Sequence, residues 1–215
     1  MTASCQNQNA RSGLSWGIRA HQVPALYQSR LTGYATWLII QGQVAHSMAT
    51  AEILVRPGVE PTTKDVERFR RFLRRGAPGP HSYVILLGLE TFDAPDLLRM
   101  VKRGFLYRTF ERFLRNTSLP LDRMTALVDI PRRTLTRRKR EGRFLPDESD
   151  RLLRASRLFG KTLALFEGER HAATEWLTTA QPALGGALPI DLAKTDVGAR
   201  EVETLIDRLE HGIFS

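Results

Sequence analysis

The chain has 215 residues, of which 42% are hydrophobic and 26% charged, which is ordinary for a globular protein. Its net charge is +9 and its isoelectric point about 10.4, which favours a polyanionic partner, either nucleic acid or an anionic membrane. One cysteine, Cys5, excludes an internal disulfide. No apolar run reaches the roughly 20 residues of a membrane helix, and no signal peptide opens the chain, so we expect a cytoplasmic protein.

The excess positive charge is concentrated in the middle of the chain. Residues 99–154 hold 16 Lys and Arg against 7 Asp and Glu, a net charge of +9. Residues 155–215 hold 6 basic and 9 acidic residues, a net charge of −3. A solvated basic surface would explain the total charge, but this concentration indicates a localised binding patch.

The first 80 residues have little regular patterning. Residues 1–47 are predicted to be a poorly ordered extension, and Met48 is an alternative start. Residues 63–75 predict an amphipathic helix with a basic face, which would bind DNA, membrane or a partner, or be merely solvated. The Pro- and Gly-rich run at 76–80 predicts a linker, so residues 48–80 form a small helical segment.

Most of the chain beyond residue 80 is predicted to be helical. The apolar run Tyr83–Leu89 is either a strand or another buried element. Asp93 is predicted to cap a helix whose Leu97, Leu98 and Val101 face inward, and a further helix is predicted at about 105–115.

Residues 119–141 have the pattern of a helix-turn-helix. Two short helices are predicted on either side of a tight turn at Asp129. Glycine is usual at that position because the backbone is left-handed there, and aspartate tolerates this conformation better than most residues. The predicted core contacts are Met124, Val128, Ile130 and Leu135.

The second of these helices is strongly basic and would lie in the major groove of DNA. Arginine pairs bidentately with guanine, and threonine contacts bases or phosphates. We expect base or nearby phosphate contacts from Arg132, Arg133, Thr134 and Arg137, and contacts with the DNA backbone from Arg138, Lys139, Arg140 and Arg143. The predicted DNA-binding residues are Arg132, Arg133, Thr134, Thr136, Arg137, Arg138, Lys139, Arg140 and Arg143. These predicted contacts assign residues 81–145 to a DNA-binding domain.

Three further helices, and a short helical piece that begins at Pro189–Leu192, are predicted in residues 146–215. The first, Glu148–Phe166, begins at a cap formed by Ser149 or Asp147 and carries a broad apolar surface. Such a surface is typical either of a dimer interface or of a central core helix. The others are predicted at about Arg170–Leu177 and Asp196–Glu210, the last with Val197 facing inward. The Ile213–Ser215 tail would fold back or dock into a partner.

The sequence does not support an enzyme, a metal site or a cofactor. The five histidines are scattered without metal-ligand spacing. Gly185-Gly186 is a turn and not a phosphate-binding loop, and Ser149 and His171 lack a triad pattern.

From Pro131 to the end, the chain resembles the Xre/MbcA/ParS-type antitoxins, and residues 85–130 resemble them more loosely. The matching segments are Arg133–Lys139, Glu141–Phe144, Pro146–Leu152, Ala172–Leu177, Ala183–Gly186, Pro189–Leu192, Thr195–Gly198, Val202-Glu203 and Arg208–Gly212. Pro131 departs from the family, which commonly has a serine or threonine cap there.

The resemblance implies a mainly α-helical dimer in which an Xre-like helix-turn-helix precedes a small helical toxin-binding domain. It implies that the partner is a RES-domain toxin, which consumes NAD, and that the antitoxin covers the toxin's active site and represses the shared operon by binding operator DNA. The residues it implies for toxin binding are Trp176, Gly185, Gly186, Arg208, Glu210, His211, Ile213, Phe214 and Ser215. The alternative is a stand-alone helix-turn-helix regulator without a toxin.

Overall fold

The structure is a computed structural model that describes residues 63–77 and 79–212, and the regular elements of these residues are all helical. The mainly α prediction is therefore confirmed for this part of the chain. The predicted extension at 1–47, the proposed start at Met48 and the tail Ile213–Ser215 lie outside the described residues. The helices are α1 (Lys64–Arg75), α2 (Ala94–Arg103), α3 (Tyr107–Thr117), α4 (Leu121–Leu127), α5 (Arg132–Glu141), α6 (Pro146–Leu165), α7 (Arg170–Thr178), α8 (Pro189–Leu192) and α9 (Asp196–Glu210), with short 3-10 helices at Ser82–Leu87 and Pro182–Leu184.

Helix α6 is the centre of the fold, and it packs against α2, α3, α7, α9 and the first 3-10 helix. Its Leu158, Phe159 and Leu163 are fully buried within the chain, and the Phe159 ring meets Phe113 of α3 edge to face. Of the two interpretations of its apolar surface, the structure therefore supports the central core helix.

The apolar run at Tyr83–Leu89 forms the 3-10 helix Ser82–Leu87 rather than a strand. Its residues Val84, Ile85, Leu86 and Leu87 are consecutive and all buried, because several helices surround this short element. Gly88, in the left-handed region with φ 73°, ends it.

Helix α1 belongs to the same core as the later helices, so the run at 76–80 does not separate two cores. Val66 and Phe69 are buried in the common cluster. The Asp65 carboxylate accepts two hydrogen bonds from Arg112, at 2.6 and 2.7 Å, and one from Asn116 at 2.9 Å. Burial alone would raise the pKa of Asp65, but these hydrogen bonds hold it below its ordinary value. Arg70 donates to the carbonyl oxygen of Gly168 at 2.7 Å.

Two predicted caps have different outcomes. Asp93 caps α2 as expected, since its carboxylate accepts the Asp96 N–H at 3.1 Å. Neither Ser149 nor Asp147 is the N-cap of α6, which begins after Leu145. The carboxylate of Glu148 accepts the Leu145 N–H at 2.8 Å, and the Ser149 hydroxyl accepts the Phe105 N–H. Ser149 therefore ties α6 to the α2–α3 loop.

Leu98 and Val197, both predicted to face inward, are 61% and 73% exposed. Each residue of a helix is rotated about 100° from the one before it. The buried Leu97 directs the next side chain, Leu98, away from the core. Val197 lies about 200° from the buried Ala199, on the opposite face of α9.

Candidate functional site

The turn between α4 and α5 has the predicted helix-turn-helix geometry. Asp129 has φ 49°, the left-handed conformation expected for this position. Arg151 of α6 donates to the Asp129 carbonyl oxygen at 2.6 Å and lies 3.2 Å from its carboxylate, which holds the turn against α6. The predicted core contacts are all buried: Met124, Val128, Ile130 and Leu135.

Most of the predicted DNA-binding side chains lie on one exposed surface of α5. Thr134 is half-buried and Arg138 is buried, and the rest are exposed: Arg132, Arg133, Thr136, Arg137, Lys139, Arg140 and Arg143. Arg132 pairs with Asp122 of α4 at 2.5 Å, and Arg137 is 4.0 Å from Glu141. Within residues 63–77 and 79–212, Arg133 and Arg140 have no acidic partner, so their guanidinium groups are free to bind an anion.

Arg138 is a correction to the predicted DNA-binding set. Its side chain is only 6% exposed, and its Nε donates to Glu148 at 2.7 Å. Glu141 takes a second hydrogen bond from the same guanidinium, and these bonds raise the pKa of Arg138 above its ordinary value. A buried guanidinium held by two carboxylates does not reach a phosphate, so Arg138 stabilises the end of α5 instead.

Arg143 follows α5 and lies across the loop between α2 and α3. Its Nη1 donates to the carbonyl oxygens of Arg103 and Gly104. Two backbone hydrogen bonds accompany this contact, from Phe144 N to Phe105 O at 2.8 Å and from Tyr107 N to Gly142 O at 2.9 Å. The segment after α5 is therefore held against the start of α3.

The residues predicted to bind a toxin do not share one environment. Gly185 and Gly186 are exposed in a tight turn between Gln181 and Ala187, and both have positive φ. Glu210 and His211 are exposed at the end of α9, and Arg208 is half-buried. Ile213, Phe214 and Ser215 lie outside the described residues.

Trp176 is a correction to the predicted toxin-binding set. It is 3% exposed and belongs to the hydrophobic core, so it supports the C-terminal helices from inside and does not form part of a binding surface. A large aromatic residue in an amphipathic helix is as typical of a core as of an interface, and periodicity alone does not separate the two.

A row of ion pairs between α6 and α9 was not foreseen from the sequence. Arg154 lies 3.8 Å from Asp196, Arg157 lies 2.8 Å from Glu203, and Lys161 lies 2.6 Å from Asp207. All the bases belong to α6 and all the acids to α9, and both sets recur at helical spacing. The row runs in the same direction along both helices, which therefore pack in parallel.

Two family models match consecutive parts of the chain. The model of the antitoxin Xre-like helix-turn-helix domain matches residues 96–157, from α2 into α6. The model of the antitoxin Xre/MbcA/ParS C-terminal toxin-binding domain matches residues 162–212. An Antitoxin Xre of Yersinia enterocolitica is 37% identical over 130 residues, which are 60% of this chain and 88% of that protein. This chain belongs to the Xre/MbcA/ParS antitoxin family.

Two further relatives share a smaller fraction of identical residues with this chain. An Antitoxin Xre of Pseudomonas putida is 33% identical over 124 residues, covering 57% of this chain and 68% of that protein. A protein of a Sphingobium species named Prs ADP-ribosylating antitoxin is 27% identical over 157 residues, covering 68% of this chain and 95% of its own. The family establishes that the protein is the antitoxin of a toxin–antitoxin system, with a helix-turn-helix and a toxin-binding domain.

The described residues contain neither a candidate membrane span nor a candidate metal site. None of the helices that the structure describes is long and apolar enough to cross a membrane. No group of three or more His, Cys, Asp and Glu side chains is placed to hold a metal ion in this part of the chain.

Proposed function

We propose that this antitoxin binds operator DNA through the exposed face of α5 and neutralises a RES-domain toxin with its C-terminal region. The proposed DNA binding is supported by the exposed surface of α5, where Arg133 and Arg140 have no acidic partner within the described residues. Arg133, in the first turn of α5, is suited to bidentate contacts with guanine, and Arg140, in its last turn, is suited to contacts with phosphate. Binding there would repress the operon that encodes both proteins.

The proposed partner is a toxin that consumes NAD, with its active site covered by the antitoxin. The match of residues 162–212 to a toxin-binding domain supports a toxin partner. The name of the Sphingobium relative refers to ADP-ribosylation, a reaction for which NAD is the donor, and this supports the class of toxin. The proposed contact surface includes Gly185, Gly186, Arg208, Glu210 and His211, together with the tail Ile213–Ser215.

We also propose that the antitoxin acts as a homodimer in the cytoplasm. Helix-turn-helix proteins commonly bind two half-sites about one helical turn apart, so that the two-fold symmetry of the dimer matches that of the operator. A palindromic footprint on the operon's own promoter would support this arrangement.

The double substitution Arg133→Ala and Arg137→Ala is expected to weaken operator binding by about 2–4 kcal/mol, or roughly 30- to 1,000-fold in Kd. Each arginine lost removes one exposed guanidinium from the groove-facing part of α5. The measurement is a titration of labelled promoter DNA at fixed salt. Arg74→Ala with Arg75→Ala, which removes the same charge from exposed residues of α1, is the control. An equal loss in both variants would refute the assignment of α5.

Deletion of Ile213–Ser215 is expected to abolish protection against the toxin while leaving operator affinity unchanged, because the tail is assigned to the toxin alone. The measurement is survival of cells that express the neighbouring gene together with the full or shortened antitoxin. Full protection by the shortened chain would remove the tail from the mechanism. If even the full chain neither protects cells nor co-purifies with the neighbouring protein, the stand-alone regulator becomes the better interpretation.

A further inference from the structure

A cleft outside the exposed face of α5 is unusually rich in arginine. It lies between the end of the first 3-10 helix, the end of α2 and the start of α3, and has a volume of about 380 Å³. Of the residues that the structure describes, none of those lining the cleft is acidic and five are arginines: Arg103, Arg108, Arg112, Arg115 and Arg143. Volumes of this size are typical of small-ligand sites.

Three of these arginines carry uncompensated charge. Arg112 is paired with Asp65, and Arg143 donates to backbone carbonyl oxygens. Within residues 63–77 and 79–212, Arg103, Arg108 and Arg115 have no acidic partner, and all three are exposed. Like charges gather in one concave surface only at an electrostatic cost, unless an anion occupies it.

The remaining walls of the cleft strengthen its attraction for an anion. The half-buried Leu89, Met100 and Leu106 contribute apolar surface, which lowers the local dielectric response and focuses the field of the arginines. Gly88 gives Arg112 room, since a Cβ there would lie 2.2 Å from Arg112 Cδ. Arg112 thus crosses the cleft wall on its way to Asp65.

We propose that this cleft is a phosphate-binding site. The guanidinium group matches the geometry of phosphate oxygens and binds them through two parallel hydrogen bonds. The phosphate would come from the DNA backbone beside the recognition helix or from a free phosphorylated compound. Arg143 links the cleft to the end of α5, which makes the backbone the nearer source. That source rests on the proposed DNA function, whereas the free compound does not.

The test compares two triple variants of the full chain. Arg103→Ala, Arg108→Ala and Arg115→Ala together empty the cleft of its unpaired charge. Arg71→Ala, Arg74→Ala and Arg75→Ala remove the same charge from exposed residues of α1 and form the control. Thermal unfolding checks that both variants are folded. The probes are inorganic pyrophosphate, followed by calorimetry, and duplex DNA with and without the operator, titrated at several salt concentrations.

If the cleft binds the DNA backbone, the dependence of log K for DNA binding on log salt should be less steep in the cleft variant, by about 2–3. Each phosphate contact contributes about 0.9 to that slope, and the variant removes three arginines. The loss would be the same on operator and non-operator DNA, because backbone contacts carry no sequence information. A site for a free compound predicts saturable pyrophosphate binding to the wild type and the control, at least tenfold weaker in the cleft variant, with an unchanged DNA slope.

Either result supports a phosphate site and identifies its source. The proposal is overturned if neither pyrophosphate nor DNA binding distinguishes the cleft variant from the wild type. It is also overturned if the control variant loses as much binding as the cleft variant, because the effect would then reflect net charge alone. If the wild type binds no DNA, the proposed operator function fails, and the pyrophosphate titration alone decides whether the cleft binds phosphate.

Discussion

Replacing Glu148 by alanine is expected to lower the free energy of unfolding by about 3–5 kcal/mol, toward the lower end because Glu141 still contacts Arg138. Glu148 is 4% exposed and pairs with the equally buried Arg138, at 2.7 Å from its Nε. The substitution would leave the buried guanidinium of Arg138 with one of its two carboxylate partners, Glu141. It would also remove the acceptor for the Leu145 N–H at the start of α6.

Chemical denaturation followed by circular dichroism measures this effect, and the melting temperature should fall by roughly 10 °C. The control is Glu141→Ala, which removes the other partner of Arg138 from a side chain that is 48% exposed. Because Glu141 is half-exposed and Glu148 still neutralises Arg138, that variant should lose less than about 1 kcal/mol. Equal stabilities for the two variants would contradict the buried pair at α5 and α6.

Replacing Gly104 by alanine is expected to destabilise the protein by at least about 3 kcal/mol, from backbone strain and overpacking together. Gly104 has φ 79°, a conformation that residues with a Cβ rarely adopt. A Cβ at this position would lie 2.0 Å from the carbonyl oxygen of Phe144. The loop would have to withdraw from the 142–144 segment and break the hydrogen bonds that join them.

Gly142 provides the control for this variant. It also has positive φ, at 74°, but a Cβ there would meet nothing within 4 Å. Gly142→Ala should therefore show the strain of the left-handed backbone alone, about 1–2 kcal/mol. Unfolding curves of the two variants isolate the effect of the close approach, which is refuted if Gly104→Ala is no less stable than Gly142→Ala.

The sequence predicted local features of the fold well, because the signals for these features are local. Asp129 lies at the turn in the left-handed conformation, Asp93 caps α2, and α9 has the predicted bounds Asp196–Glu210. Each of these depends on residues within one or two turns of the chain. Periodicity gave the core positions of α4 and α5 for the same reason.

The errors arose where tertiary contacts decide the outcome. Arg138 has the same local surroundings as its basic neighbours, and its buried pairing with Glu148, ten residues later, distinguishes it from them. The sequence around Trp176 was equally consistent with a surface anchor, because the contacts that bury this residue are tertiary. The cleft joins arginines from α2, α3 and the segment after α5, so no single stretch of sequence displays it. Charge concentration in residues 99–154 was its only sequence signal.

Helix α6 has a consequence for how the two halves of this antitoxin communicate. The match to the helix-turn-helix domain ends at residue 157 and the match to the toxin-binding domain begins at 162, and both points lie inside this one unbroken helix. A helix of 20 residues is a rod of about 30 Å, and the ion pairs to α9 brace it along one side. The two halves therefore share one continuous helix and are not joined by a flexible linker. Under the proposed function, a toxin bound to the C-terminal half would therefore be held at a fixed angle to the DNA, and steric fit between neighbouring complexes would limit how many of them occupy one operator.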